Sequence, residues 1–195
     1  LADGYFILPV TIGDYLSKKF AEPKTDVTTA EFVKAEKDVQ ARIDKLFSIK
    51  GTKTVDSIHK KLGIIMWDYV GMARDEQGLK KAIKEIQALK EDFYKNVNVP
   101  GSQYEFNQEL EKALRLEDFF EIGELMARDA LNRQESCGGH FRIESQTEEG
   151  EAKRDDANFM YVAAWEYKGE GVEPELHKEP LKYEFIEVKT RNYKD

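Results

Sequence analysis

Thirty basic against 38 acidic residues in a chain of 195 leave a formal net charge of −8, which argues against a sequence-independent nucleic-acid binder, because that role needs a basic face. With 41% hydrophobic and 35% charged residues, the composition suits a helical protein with heavily solvated outer faces. No apolar run approaches the roughly 20 residues of a membrane-crossing helix, and the longest, Tyr5 to Val10, is interrupted by Pro9.

The chain begins without Met, and Tyr5, Phe6, Ile7, Leu8 and Val10 crowd its first residues. Termini this apolar are normally docked. A piece of a longer protein is therefore expected, with self-association through Tyr5, Phe6, Ile7 and Leu8. Residues 3–20 read as a helix that Pro9 either bends or starts, and residues 21–27 as a linker.

Thr28 and Thr29 are good N-caps for a second helix, and Lys50-Gly51 closes it; its stripe is Phe32, Ala35, Val39, Ile43 and Leu46. Thr54 caps a third, with Val55, Ile58, Leu62, Ile65 and Tyr69 on one side and Gly71 at its end. A fourth, about Glu76 to Lys95, carries Leu79, Ala82, Ile86, Leu89 and Phe93. The last runs from about Tyr104 to Gln134, with a seam of Ala113, Leu116, Phe120, Gly123, Ala127 and Ala130. Similar stripes joined by short connections predict an up-down bundle of about four helices. Trp67 and Met72 read as core beside Tyr69 rather than as a partner-binding patch.

After Gln134 the pattern changes. Residues 147–153 are charged and contain Gly, so they read as a loop. Alternating aromatics over 159–167 and again over 181–188 predict a two-stranded ribbon, joined loosely by residues 168–180. Tyr161, Trp165, Tyr183 and Phe185 should lie against the bundle or another domain, since a lone ribbon is marginal in water. The fold class is thus mainly α: a terminal helix, the bundle, and a C-terminal β-ribbon. The domain boundaries expected are 1–27, 28–142 and 143–195.

Between helix and ribbon lies Arg133-Gln-Glu135-Ser136-Cys137-Gly138-Gly139-His140-Phe-Arg142, and shortly after it Arg154-Asp155-Asp156. His140 oriented by Glu135 could act as a general base, with Arg133 or Arg142 binding an anion. These residues are close in sequence, however, and no Ser sits in a strained elbow and no Gly-rich phosphate loop follows a strand. A buried hinge holding the bundle to a neighbouring domain is the better reading. Arg154-Asp155-Asp156 is expected to close back on Arg133 or Arg142. Cys137 is the chain's single cysteine, which excludes an internal disulfide. His59, His140, His177 and Cys137 show no zinc-ligand spacing, so no metal is expected.

The run resembles the R-x-E-S-R-G-A-H-x-R pattern, with R-D-D after it, of the flavoprotein subunit of succinate dehydrogenase and fumarate reductase. Arg133, Glu135, Ser136, Gly138, His140, Arg142, Arg154, Asp155 and Asp156 match; Cys137 stands where Arg is usual and Gly139 where Ala is usual. Leu1 to Tyr5, Phe106-Asn107 with Leu110, Leu114 to Phe119, and Arg191-Asn-Tyr193 extend the resemblance along the chain.

The resemblance implies the C-terminal domain of an oxidoreductase that interconverts succinate and fumarate at a covalently held FAD. Its partners would be its own flavin-binding domain, an iron–sulfur subunit and a membrane anchor, with the complex peripheral to the cytoplasmic face of the inner membrane. The family's flavin- and dicarboxylate-binding motifs lie upstream, so no catalytic, cofactor-binding or metal residue is carried onto this chain. Arg133, Glu135, Ser136, Gly138, His140, Arg142, Arg154, Asp155 and Asp156 would instead form a loop docking to the flavin domain. The alternatives are a free-standing helical adaptor, whose apolar first helix binds a partner groove, and a small acid/base enzyme centred on His140.

Overall fold

The computed structural model describes residues 1–189, so Arg191 and Tyr193 lie outside the described residues. The chain forms two compact units, Leu1–Asp44 and Lys45–Asp195. In the first, a π-helical turn, Asp3–Ile7, runs into α1 (Leu8–Ser17). Pro9 lies in the first turn of this helix, where its missing N–H costs nothing, and so marks its start rather than bending it. The wide turn comes just ahead of it, with the Leu8 N–H reaching back five residues to Asp3 O. Tyr5, Phe6, Ile7 and Leu8 are exposed, as are Ile12, Tyr15 and Leu16.

Helix α2 (Ala30–Ser48) begins in this unit. The Thr29 carbonyl accepts its first helical bond, from Val33 N–H. The Thr29 hydroxyl is buried without a hydrogen-bond partner, so the side-chain cap expected there is not made. Most of the stripe read on α2 is also not buried: Phe32, Ala35 and Val39 are exposed, and only Leu46 is fully covered.

The second unit contains the core. Helices α3 (Val55–Val70), α4 (Glu76–Asn96) and α5 (Gln108–Asn132) pack on one another through the stripes read from the sequence. Ile58, Leu79, Ala82, Ile86, Phe93, Ala113, Phe120 and Ala127 have no accessible surface. Burying each large aliphatic or aromatic side chain among them stabilises the unit by about 1.5–3 kcal/mol. Side-chain pairs give the directions. Tyr94 meets Glu117 and Gln87 meets Glu124, so α4 and α5 run antiparallel. Lys112 reaches Asp56, which joins the first turns of α3 and α5. The order is therefore up, down, up. Gly123 lets the helices close in, since a Cβ there would come within 3.2 Å of Met66 Sδ.

The caps follow the sequence. Thr54 Oγ1 accepts from Ser57 N–H, Asp75 from Gly78 N–H and Asn107 from Leu110 N–H. β1 (Lys53–Thr54) and β2 (Val97–Asn98) form a short parallel pair beside these ends. Tyr69 packs against the core as expected, but Trp67 is 83% and Met72 90% exposed, so those two are surface residues.

A short helix, α6 (Asp156–Phe159), leads into β3 (Tyr161–Glu166), which pairs antiparallel with β4 (Glu175–Pro180). The second strand is thus drawn from the segment read as a loose connection, and 181–188 is irregular. Leu181 N–H continues the ladder by one bond to Met160 O, after which the chain leaves it. Positive φ at Gly169 and Gly171 closes the hairpin early and so selects the nearer partner. Tyr161 is buried and the Trp165 indole N–H donates to Asp129 at 2.8 Å, whereas Tyr183 and Phe185 stay exposed.

Candidate docking site at the corner after α5

Helix ends leave backbone groups without partners, and the segment after α5, together with Arg74 between α3 and α4, supplies them for three helices. Arg142 Nη1 donates to Ala130 O at 2.9 Å and Leu131 O at 3.3 Å, at the end of α5. Arg74 Nε donates to Val70 O and Gly71 O, 3.1 and 3.0 Å away, at the end of α3. Glu144 accepts from Glu76 N–H at 2.6 Å, at the start of α4. Cations thus meet two helix C-termini and a carboxylate meets an N-terminus, the sense the helix dipole favours. Burial works against ionising Glu144, but the Glu76 N–H and Arg142 outweigh it and hold its carboxyl below the ordinary range.

Cys137 and His140 exchange backbone bonds at 2.9 and 3.1 Å across Gly138 and Gly139. Of these two glycines only Gly138 has positive φ, 59°, as at the first central position of a type II′ turn. The exposed Cys137–Gly139 tip therefore projects from a sharply reversed chain. Behind it Ser136 is fully buried. Its hydroxyl accepts from Arg142 N–H at 2.8 Å and donates to Arg142 O at 3.2 Å.

Glu135, 3% exposed, accepts from Arg133 Nη1 through one oxygen and from Asp155 N–H through the other, both at 2.8 Å. Arg133 also donates to Phe159 O and Tyr161 O, with its guanidinium 5.1 Å from the Tyr161 ring centre. Glu135 therefore ties the end of α5 to the entry of the ribbon. Contrary to the expectation for the Arg154-Asp155-Asp156 run, Arg154 reaches neither Arg133 nor Arg142. It grips Asp156 with two nitrogens and donates to Lys189 O, while Asp155 caps α6. The link to Arg133 runs through Glu135 instead.

His140 has both nitrogens engaged. Nδ1 lies 2.8 Å from Arg74 Nη1, and Nε2 lies 2.8 Å from Arg133 O. A guanidinium only donates and a carbonyl only accepts, so the imidazole is neutral with its proton on Nε2. Burial, then the charges of Arg74, Arg142 and Arg133, hold its pKa below the ordinary 6.5, against the Arg133 carbonyl, which raises it. The corner brings Arg133, Glu135, Ser136, His140 and Arg142 into one bonded group, with Arg154, Asp155 and Asp156 beside it. Arg74 and Glu144 belong to the same network and were missed from sequence. The one available signal was Arg74 three residues beyond Gly71, where a cation can cap a helix end.

Chemically, these groups are already satisfied by one another. Neither ring nitrogen of His140 is open to take a proton from a substrate. Among the described residues no strand leads through a glycine-rich turn into a helix.

The described residues thus form a mainly helical unit whose charged corner is closed by Arg, Glu, Ser and His. Residues 59–193 match the family described as fumarate reductase flavoprotein C-term, and the chain belongs to that family. It is 27% identical over 176 residues to the fumarate reductase flavoprotein subunit of Haemophilus influenzae, covering 90% of this chain and 28% of that one. The subunit of a Serratia species is 32% identical over 146 residues, 75% of this chain and 23% of the relative. The chain thus spans about a quarter of the length of the curated relatives it matches. Its fold is that of E. coli quinol fumarate reductase, with a TM-score of 0.72 at 23% identity over 88% of this chain and 28% of that one. Among the described residues no helix is long and apolar enough to cross a membrane.

Proposed function

We propose that this chain is the C-terminal helical domain of a flavoprotein subunit that interconverts succinate and fumarate at an FAD held by an upstream domain. Electrons pass to an iron–sulfur subunit and a membrane anchor, and the subunit sits at the cytoplasmic face of the inner membrane. The family match over residues 59–193 carries this reading. The domain's own part is mechanical: α3, α4 and α5 form a stiff base, and the corner presents the Cys137–Gly139 tip to the flavin domain. Saturation of the buried groups behind the tip favours docking over the acid/base alternative, because a satisfied network is rigid and has no group left for proton transfer.

The test uses the full-length parent protein. It should be yellow and should reduce a dye with succinate, and a Cys137→Glu change at the tip should lower flavin retention or turnover while leaving the melting of the 195-residue chain unchanged. A colourless parent protein, or one inert to dicarboxylates, overturns the activity. A tip variant indistinguishable from wild type in the parent overturns the docking role.

A further inference from the structure

On the β3–β4 ribbon, away from the corner, Glu166, Glu175 and His177 each present a ligand atom, and these atoms lie within 4.8 Å of one another. The strand register puts them there. Glu166 is the cross-strand partner of Glu175, and His177 is two residues further along the same strand, so all three project from one face. Two carboxylates directly opposite each other on an antiparallel pair repel, and the hairpin needs a cation at that point.

A cation is already there. Lys168 Nζ sits 2.9 Å from Glu166 and 2.7 Å from Glu175, and His177 Nε2 is 2.7 Å from the other Glu166 oxygen. The ammonium marks where positive charge is stable, and the imidazole beside it supplies a nitrogen donor that an ammonium cannot use.

We propose that Glu166, Glu175 and His177 form a surface site for a divalent transition metal of the zinc type, bound in exchange for the Lys168 ammonium. Zinc bonds to nitrogen and carboxylate oxygen are about 2.0–2.2 Å long, which puts tetrahedral ligands roughly 3.4 Å apart. Side-chain rotation of the three exposed residues covers the remaining distance. One imidazole with two carboxylates suits zinc or copper over magnesium or calcium, which favour all-oxygen shells. Solvent completes the coordination, since all three residues are exposed. The metal would fasten the two strands at their last pair before the connecting loop.

The site was not legible from spacing, because two of its ligands share β4 and the third comes from β3 across the loop. Cys137, His59 and His140 lie outside it.

The experiment is a calorimetric titration of the 195-residue chain with zinc chloride, alongside amide hydrogen exchange over residues 161–180. One equivalent should bind and slow exchange in both strands. His177→Ala or Glu166→Gln should weaken binding at least about tenfold, the smallest loss typical even of a residue supporting a metal ligand. Lys168→Ala should tighten it, because the competing ammonium is gone; a merely structural Lys168 would not produce that gain. Cys137→Ser should leave the titration unchanged, with circular dichroism confirming the fold of every variant. No binding, binding indifferent to His177 and Glu166, or a Lys168→Ala variant that binds no more tightly overturns the site.

Discussion

Arg74 donates to Nδ1 of His140 at 2.8 Å, so the end of α3 is bonded to the turn that follows α5 through an imidazole that must stay neutral. Protonation would place a second donor against the guanidinium. The folded-state pKa lies below 6.5, so as pH falls the unfolded chain takes up the proton first. Stability from this contact is complete above about pH 6.5 and declines as pH drops toward the folded value, below which His140 adds no further loss. His140→Gln should keep most of the wild-type melting temperature at pH 7.5, since its amide can accept from Arg74 and donate to Arg133 O. It should also flatten the decline on acidification. Melting curves at several pH values check this, and parallel slopes for both proteins would sink it.

Arg142 is 3% exposed and caps α5 through two carbonyls. Truncating it to Ala strands those carbonyls and should cost about 3–5 kcal/mol, the range for breaking a buried charged contact. Lys in its place restores the charge without the planar fork and should recover only part. Ser136→Ala leaves the Arg142 N–H buried and unpaired, at a smaller cost of about 1–3 kcal/mol. Denaturant unfolding of the three variants should rank them Arg142→Ala, then the other two well behind. Equal losses for Arg142→Ala and Arg142→Lys would show that charge alone matters there.

Two glycines should fail for different reasons. A Cβ on Gly51 would lie 1.9 Å from Asn96 O and 2.0 Å from its carbon, both backbone atoms held by the end of α4. Gly51→Ala must push the β1–β2 pair apart, and a loss of several kcal/mol is expected, beyond the roughly 1–3 kcal/mol of ordinary overpacking. Gly138 has open space around it, and only its φ of 59° resists a side chain. Gly138→Ala should therefore cost only about 1–2 kcal/mol. Thermal denaturation separates the two, and a Gly138 variant as damaged as the Gly51 variant would mean the turn is tighter than this geometry allows.

Periodicity served well where a helix has neighbours on one side. Ile58, Leu62, Leu79, Ile86, Leu116 and Phe120 were read as core and are buried because α3, α4 and α5 cover one another's stripes. The same pattern on α2 did not predict burial of Phe32 or Val39, since a stripe records a capacity to be covered and not what covers it. The apolar alternation over 181–188 also misled. Strand pairing is decided by backbone register and loop closure, and the polar run Glu175–Pro180 is the first segment able to turn back on β3. At the corner, the residue types signalled a bonded cluster. Their partners Arg74 and Glu144 lie at an inter-helix junction that no local spacing encodes.

Besides the Arg133 bonds and the Arg128–Glu173 ion pair, two further side-chain bonds hold the ribbon to α5, and ties this local make it separable from the bundle. Trp165 donates to Asp129 on α5, and Asn132 at the end of α5 donates to the Tyr161 hydroxyl at 3.3 Å. The Tyr161 ring also lies close to two cations, Arg133 and Lys178, which are 5.1 and 4.5 Å from its centre. An isolated two-stranded hairpin is marginal in water, so β3 and β4 depend on these ties. Trp165→Phe removes the N–H together with part of the ring's apolar area, so the expected loss is at least that of a bond to a carboxylate, about 1.5–3 kcal/mol. That loss should fall on the ribbon alone. Amides of residues 161–166 and 175–180 should exchange faster, while those of α3, α4 and α5 keep their protection, because no core residue of the bundle touches the indole nitrogen. Faster exchange spread evenly over the helices would mean that ribbon and bundle unfold as one body.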